Sequence, residues 1–106
     1  MKGMYTMESY HSRLSSESMD FLCDAILSLE TREECYRFFE DICTINEVQS
    51  IEQRLQVARM LKQKRTYTDI ASTTGASTAT ISRVNRCLNY GSDGYNLVFD
   101  KISFEK

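Results

Sequence analysis

The stretch from Thr66 to Leu88, TYTDIASTTGASTATISRVNRCL, constrains the fold more than any other part of the chain. Ile70 and Ala71 are adjacent apolar residues, Gly75 follows the alanine by four, and Ile81, Val84 and Leu88 recur at three- and four-residue steps. Steps of that size place apolar side chains on one face of an α-helix. Gly75 can take a positive φ that penalises any other residue sterically, and Ala76 is small enough for two helices to cross closely. The pattern predicts a short helix, a turn on Gly75, and a second helix opened by Ser77. The other side of that second helix presents Thr78, Ala79, Thr80, Ser82, Arg83 and Arg86. A slim, hydroxyl-bearing tip with guanidiniums beyond it suits entry into a DNA major groove. A structural helical hairpin also uses a glycine turn and an apolar stripe, so these positions alone leave that reading open.

The composition of the rest of the chain favours helices joined by short turns. Its 106 residues include no proline and four glycines, and no segment alternates in the manner of a strand. Met19, Leu22, Cys23, Ile26 and Leu27 predict a first helix over 16–29. Thr31 with Glu34, and Thr44 with Glu47, have capping-box spacing. They open a second helix (Cys35, Phe38, Phe39, Ile42) and a long third one reaching about Lys64. The stripe of the third is Val48, Ile51, Leu55, Ala58 and Leu61, widened by Val57 and Met60. Thr66 with Asp69 caps a fourth helix and Ser77 a fifth. After the turn-rich residues 90–94 comes an apolar tail (Tyr95, Leu97, Val98, Phe99, Ile102, Phe104) that fits a short helix or an extended clasp equally. Residues 1–15 read as a flexible N-terminal arm and 16–106 as a single all-helical domain. The first two helices carry more apolar surface than the remainder can cover, which predicts an intertwined homodimer.

Charge is segregated along the chain. The net charge is −2, yet residues 1–50 hold ten acids against four bases, whereas 51–90 hold two acids against seven bases. The basic segment contains the predicted helix-turn-helix, as phosphate contact with counterion release requires. Lys64 and Arg65 lie where the third helix ends and could grip a nucleic-acid backbone. Cys23, Cys35, Cys43 and Cys87 lack metal-ligand spacing and read as buried, reduced thiols. No metal or cofactor is expected. His11 is the single histidine and lies on the arm, so no nucleophile–base pair suggests an enzyme. No apolar run approaches a membrane span and no signal-peptide core opens the chain, which predicts a cytoplasmic protein without a membrane partner.

Gly75-Ala76-Ser77-Thr78-Ala79-Thr80-Ile81-Ser82-Arg83 resembles the recognition-helix pattern of the Trp repressor superfamily, in particular its YerC/YecD-type branch. The resemblance is specific over about 66–88 and extends in architecture over about 16–104. It implies a six-helix Trp repressor-like fold, all-α, forming an intertwined homodimer that binds a double-stranded operator through its fourth and fifth helices. By position, Thr68, Thr78, Ala79, Thr80 and Ser82 would approach base edges, and Ser77 a phosphate. It also implies an effector site at Arg54 and Arg83, with Val84 and Cys87 beside them; the other reading of the two arginines is contact with phosphate or with a carboxylate such as Glu47. In the Trp repressor a glycine at the Val84 position leaves room for the indole, so any small-molecule effector here, amino-acid-like or otherwise, is not expected to be tryptophan. The expected function is a sequence-specific transcriptional regulator, acting as a repressor. The alternative is a helical protein-interaction module without DNA readout.

Overall fold

The computed structural model describes residues 10–102. Six α-helices follow one another in this range: α1 (Glu17–Leu27), α2 (Arg32–Ile42), α3 (Ile45–Lys62), α4 (Tyr67–Thr74), α5 (Thr78–Tyr90) and α6 (Gly94–Lys101). No strand occurs among the described residues, so the all-α expectation holds. The chain divides into two compact units, Met1–Ile42 and Cys43–Lys106. Most of the expected N-terminal arm, residues 1–9, and the end of the tail with Phe104 lie outside the described residues.

In the first unit each helix begins on a hydroxyl cap. Ser16 Oγ accepts the Met19 N–H at 3.0 Å, and Thr31 Oγ1 accepts that of Glu34 at 3.1 Å. The predicted box at Thr31 is only half formed: the Glu34 carboxylate accepts the Glu30 N–H (2.8 Å), one residue before the cap. Phe38 and Phe39 meet edge to face, their centroids 5.5 Å apart. No side chain of α1 or α2 is buried. Phe21 and Leu27 are 76% and 80% exposed. The expectation of buried thiols fails in both units. The four cysteines are free, but Cys23 and Cys87 are exposed and Cys35 and Cys43 only half-buried. A thiol on an amphipathic stripe is buried only where another element covers that stripe.

The second unit encloses a core. Thr44 and Glu47 form the complete capping box of α3, with the Glu47 N–H donating to Thr44 Oγ1 (3.1 Å) and the Thr44 N–H to Glu47 Oε1 (2.9 Å). Val57, Ala58 and Met60 of α3 pack with Ile70 of α4, Ala76 of the turn, Ile81 and Val84 of α5, and Phe99 of α6. The core face of α3 therefore differs from the predicted stripe. Ile51 and Leu55 are exposed, whereas Val57 and Met60, expected only to widen the stripe, are buried. Apolar residues lie on more than one side of α3, and helical periodicity cannot say which side its neighbours will cover.

From Tyr95 to Lys101 the apolar tail is a helix. α6 follows Asp93, whose backbone is left-handed (φ 71) and whose side chain makes no cap hydrogen bond to the helix backbone. Tyr95 and Phe99 stack on one side of α6, centroids 6.4 Å apart, and seat it on the core. Among the described residues no helix is long and apolar enough to cross a membrane.

Candidate nucleic-acid interface

The site is built on a turn held by both backbone and side-chain hydrogen bonds. Gly75 ends α4 with φ 77, and its N–H donates to Ala71 O at 2.9 Å. Thr74 Oγ1 donates to Ile70 O (2.8 Å) and accepts the Ala76 N–H (3.1 Å). Gln53 Nε2 reaches across from α3 to Thr74 O at 3.2 Å. Ser77 then caps α5, accepting the Thr80 N–H at 3.1 Å while its hydroxyl donates to Thr80 Oγ1. The angle between α4 and α5 is thus fixed by a left-handed glycine, a threonine bracket and a strut from α3.

Beneath the turn lie Ile70 and Ile81, both fully buried, and Val84, which is 1% exposed. Each such side chain contributes roughly 1.5–3 kcal/mol of burial. This packing orients α5. With Ile81 and Val84 inward, Thr78, Ala79, Arg83 and Arg86 stand in solvent, and Thr80 and Ser82 are half-exposed at the edges. The hydroxyl-rich side expected to face outward does so. Thr68, near the start of α4, and Ser77 are also exposed.

The cationic residues meet the site where α3 ends. The N–H of Arg65 donates to Met60 O (3.1 Å) and that of Lys64 to Leu61 O (3.0 Å), which closes the helix with Lys64 left-handed at φ 67. Lys64 and Arg65 are both exposed. The Arg65 guanidinium pairs with Asp69 on the first turn of α4. By its spacing from Thr66, Asp69 reads only as a capping residue. A base and an acid four residues apart was the available signal. Thr66 Oγ1 does accept the Asp69 N–H (3.1 Å), but the carboxylate turns to the arginine.

The four effector candidates are less clearly gathered. Arg54 is half-buried on α3, with Nη1 3.4 Å from Ser50 Oγ. Arg83 and Cys87 are exposed on α5, while Val84 between them belongs to the core. Glu47, one carboxylate that Arg54 or Arg83 was expected to meet, is committed to its capping box. Among the described residues no group of three or more His, Cys, Asp or Glu side chains could hold a metal ion.

Six helices with a core-backed turn between the fourth and fifth define a helix-turn-helix protein of the Trp repressor type. The chain belongs to the Trp repressor family, whose model, described as Trp repressor protein, matches residues 17–103. It is 59% identical over 90 residues to the Bacillus subtilis protein YerC, itself uncharacterised, spanning 85% of this chain and 86% of that one. A TrpR-like protein from Eubacterium eligens has the same fold, with a TM-score of 0.84 and 58% identity over 89% of this chain and 98% of its own. A Staphylococcus aureus structure superposes with a TM-score of 0.83 at 55% identity, covering 89% and 94%.

Proposed function

We propose that the chain is a cytoplasmic transcriptional repressor that binds a pseudo-palindromic operator as a homodimer, reading base edges with α5. The observation that carries this reading is the orientation of α5, with Ile81 and Val84 in the core and Thr78, Ala79, Ser82, Arg83 and Arg86 on the accessible side. Thr78, Ala79, Thr80 and Ser82, with Thr68 of α4, would approach bases. Lys64, Arg65, Ser77, Arg83 and Arg86 would engage phosphates. Ser77 would redirect its hydroxyl from Thr80 to do so. Membership of a family of regulators, not of enzymes, supports the same reading.

Dimerisation is supported by the apolar side chains that a single chain leaves open. These include Phe21, Ile26 and Leu27 on α1 and Ile42 on α2, together with Ile45, Ile51 and Leu55 on α3. A two-fold dimer would cover them and present two reading helices to two half-sites. An effector acting through Arg54, Arg83 and Cys87 would have to leave Val84 in its place in the core. Val84 fills the space an indole would need, and overpacking a core costs about 1–3 kcal/mol or more.

The test is binding to fragments of the source genome, with ionic strength varied. Binding should weaken steeply with salt, and a combined Thr80→Ala, Ser82→Ala, Arg86→Ala variant should lose its preference among fragments. Salt-insensitive or absent binding would point instead to a protein-interaction module.

A further inference from the structure

Three helices of this chain begin with a threonine followed three residues later by an acid, and the three acids behave differently. Glu47 returns to the N–H of its own cap, and Glu34 reaches one residue further back. Asp69, shorter by one methylene, does neither. Its Oδ2 accepts the Nε–H of Arg65, the residue just before the cap of α4. The pair is half-open to solvent, with side chains 43% and 40% exposed.

The atom that Asp69 takes matters. An arginine held through Nε keeps both Nη groups, and these have no protein partner among the described residues. That edge of the guanidinium is a planar pair of donors, matched to two acceptors side by side. A phosphate offers such a pair, and so do O6 and N7 of guanine in the major groove. The carboxylate also cancels the charge of the arginine, so the pair adds little to counterion release. Lys64, beside it, has no such counter-ion among the described residues. An arginine kept only for its charge gains nothing from a neutralising partner, whereas one kept for direction does.

We infer that Asp69 is a positioning residue that turns Arg65 from a mobile surface cation into an oriented two-donor fork for a two-acceptor edge of DNA. The inference rests on the DNA-binding reading and adds a specific role for Arg65 at that site. Asp69 also sets the salt response, because it removes one net positive charge from the interface.

The experiment uses the full chain, a mixed-sequence 30-base-pair duplex and a randomised duplex pool. Against the mixed-sequence duplex, Asp69→Asn should show a logarithmic salt slope steeper by about 0.9, with tighter binding at low salt if the fork's acceptor is a base. Against a duplex selected from the pool, Asp69→Asn and Arg65→Lys should both lose affinity, since lysine cannot form the fork. If the acceptor is guanine, selection with either variant should lose one guanine per half-site, with about 5- to 150-fold less discrimination there. If it is a phosphate, the selected sequence should be unchanged while affinity falls. Preserved helicity and melting temperature would separate positioning from a folding defect. An unchanged salt slope together with unchanged selected-site affinity in Asp69→Asn would overturn the inference while leaving DNA binding intact. A wild-type chain that binds no duplex would overturn the functional reading and this inference with it.

Discussion

The second unit encloses an apolar core, whereas the helices of the first bury no side chain. α3 to α6 enclose eight buried residues, among them Ile70, Ile81 and Val84 beneath the turn between α4 and α5. α1 and α2 bury none, although their sequences show the same three- and four-residue spacing. The same pattern therefore serves two purposes. In α4 and α5 it builds a platform for the interface. In α1 and α2 it leaves an open apolar face, which in the proposed dimer a second copy of the chain would cover with the symmetry a palindromic site needs.

The comparison is broken or sharpened most strongly by one substitution in each unit. Ile81→Ala should cost about 2–5 kcal/mol in denaturant unfolding, because it opens a cavity under α5. Leu27→Asp leaves that core untouched, so it should abolish association in sedimentation while α3 to α6 stay helical. Should the two variants lose stability alike as monomers, the distinction between the units would collapse. A smaller effect is the concentration dependence of melting. The wild-type Tm should rise with protein concentration, as mass action requires of a dimer, and that of Leu27→Asp should not.

Left-handed positions give a finer comparison within the second unit. Gly75→Ala meets nothing closer than Gln53 Nε2 at 4.0 Å, so its expected cost of about 1–2 kcal/mol is backbone strain alone. Lys64→Gly should do the reverse, stabilising by up to about 1 kcal/mol while flattening the salt dependence of DNA binding. Such a trade would show that Lys64 is kept for its charge in a conformation glycine prefers. The smallest expected effect is at the caps. Thr44→Ala should cost about 1 kcal/mol in thermal unfolding, and Thr31→Ala, whose box is half formed, less.

Much of this was legible in the sequence because its signals are local. Thr44, Thr66 and Ser77 cap where hydroxyl spacing placed them, and Gly75 has the positive φ its position required. Ile81 and Val84 turn inward as their spacing predicted. The missed features depend on tertiary partners. The choice of Val57 and Met60 over Ile51 and Leu55 was made by whichever elements cover α3. Gln53 contacts a carbonyl twenty-one residues away, which no local pattern announces. α6 begins at an aspartate without a side-chain cap, so its start carried no signal. Asp69 fitted a capping box by spacing, but its short side chain and a neighbouring arginine diverted it.

The most direct test of the account is selection of duplexes from a randomised pool by the intact chain at moderate salt. Enriched sequences should carry two-fold related half-sites whose centres lie about 10 base pairs, or a multiple of that, apart. Thr80→Ala and Ser82→Ala should blur the same positions in both halves. A pool that emerges unenriched, or one whose enriched motif ignores changes at Thr80 and Ser82, would contradict the claim that the outward face of α5 reads DNA.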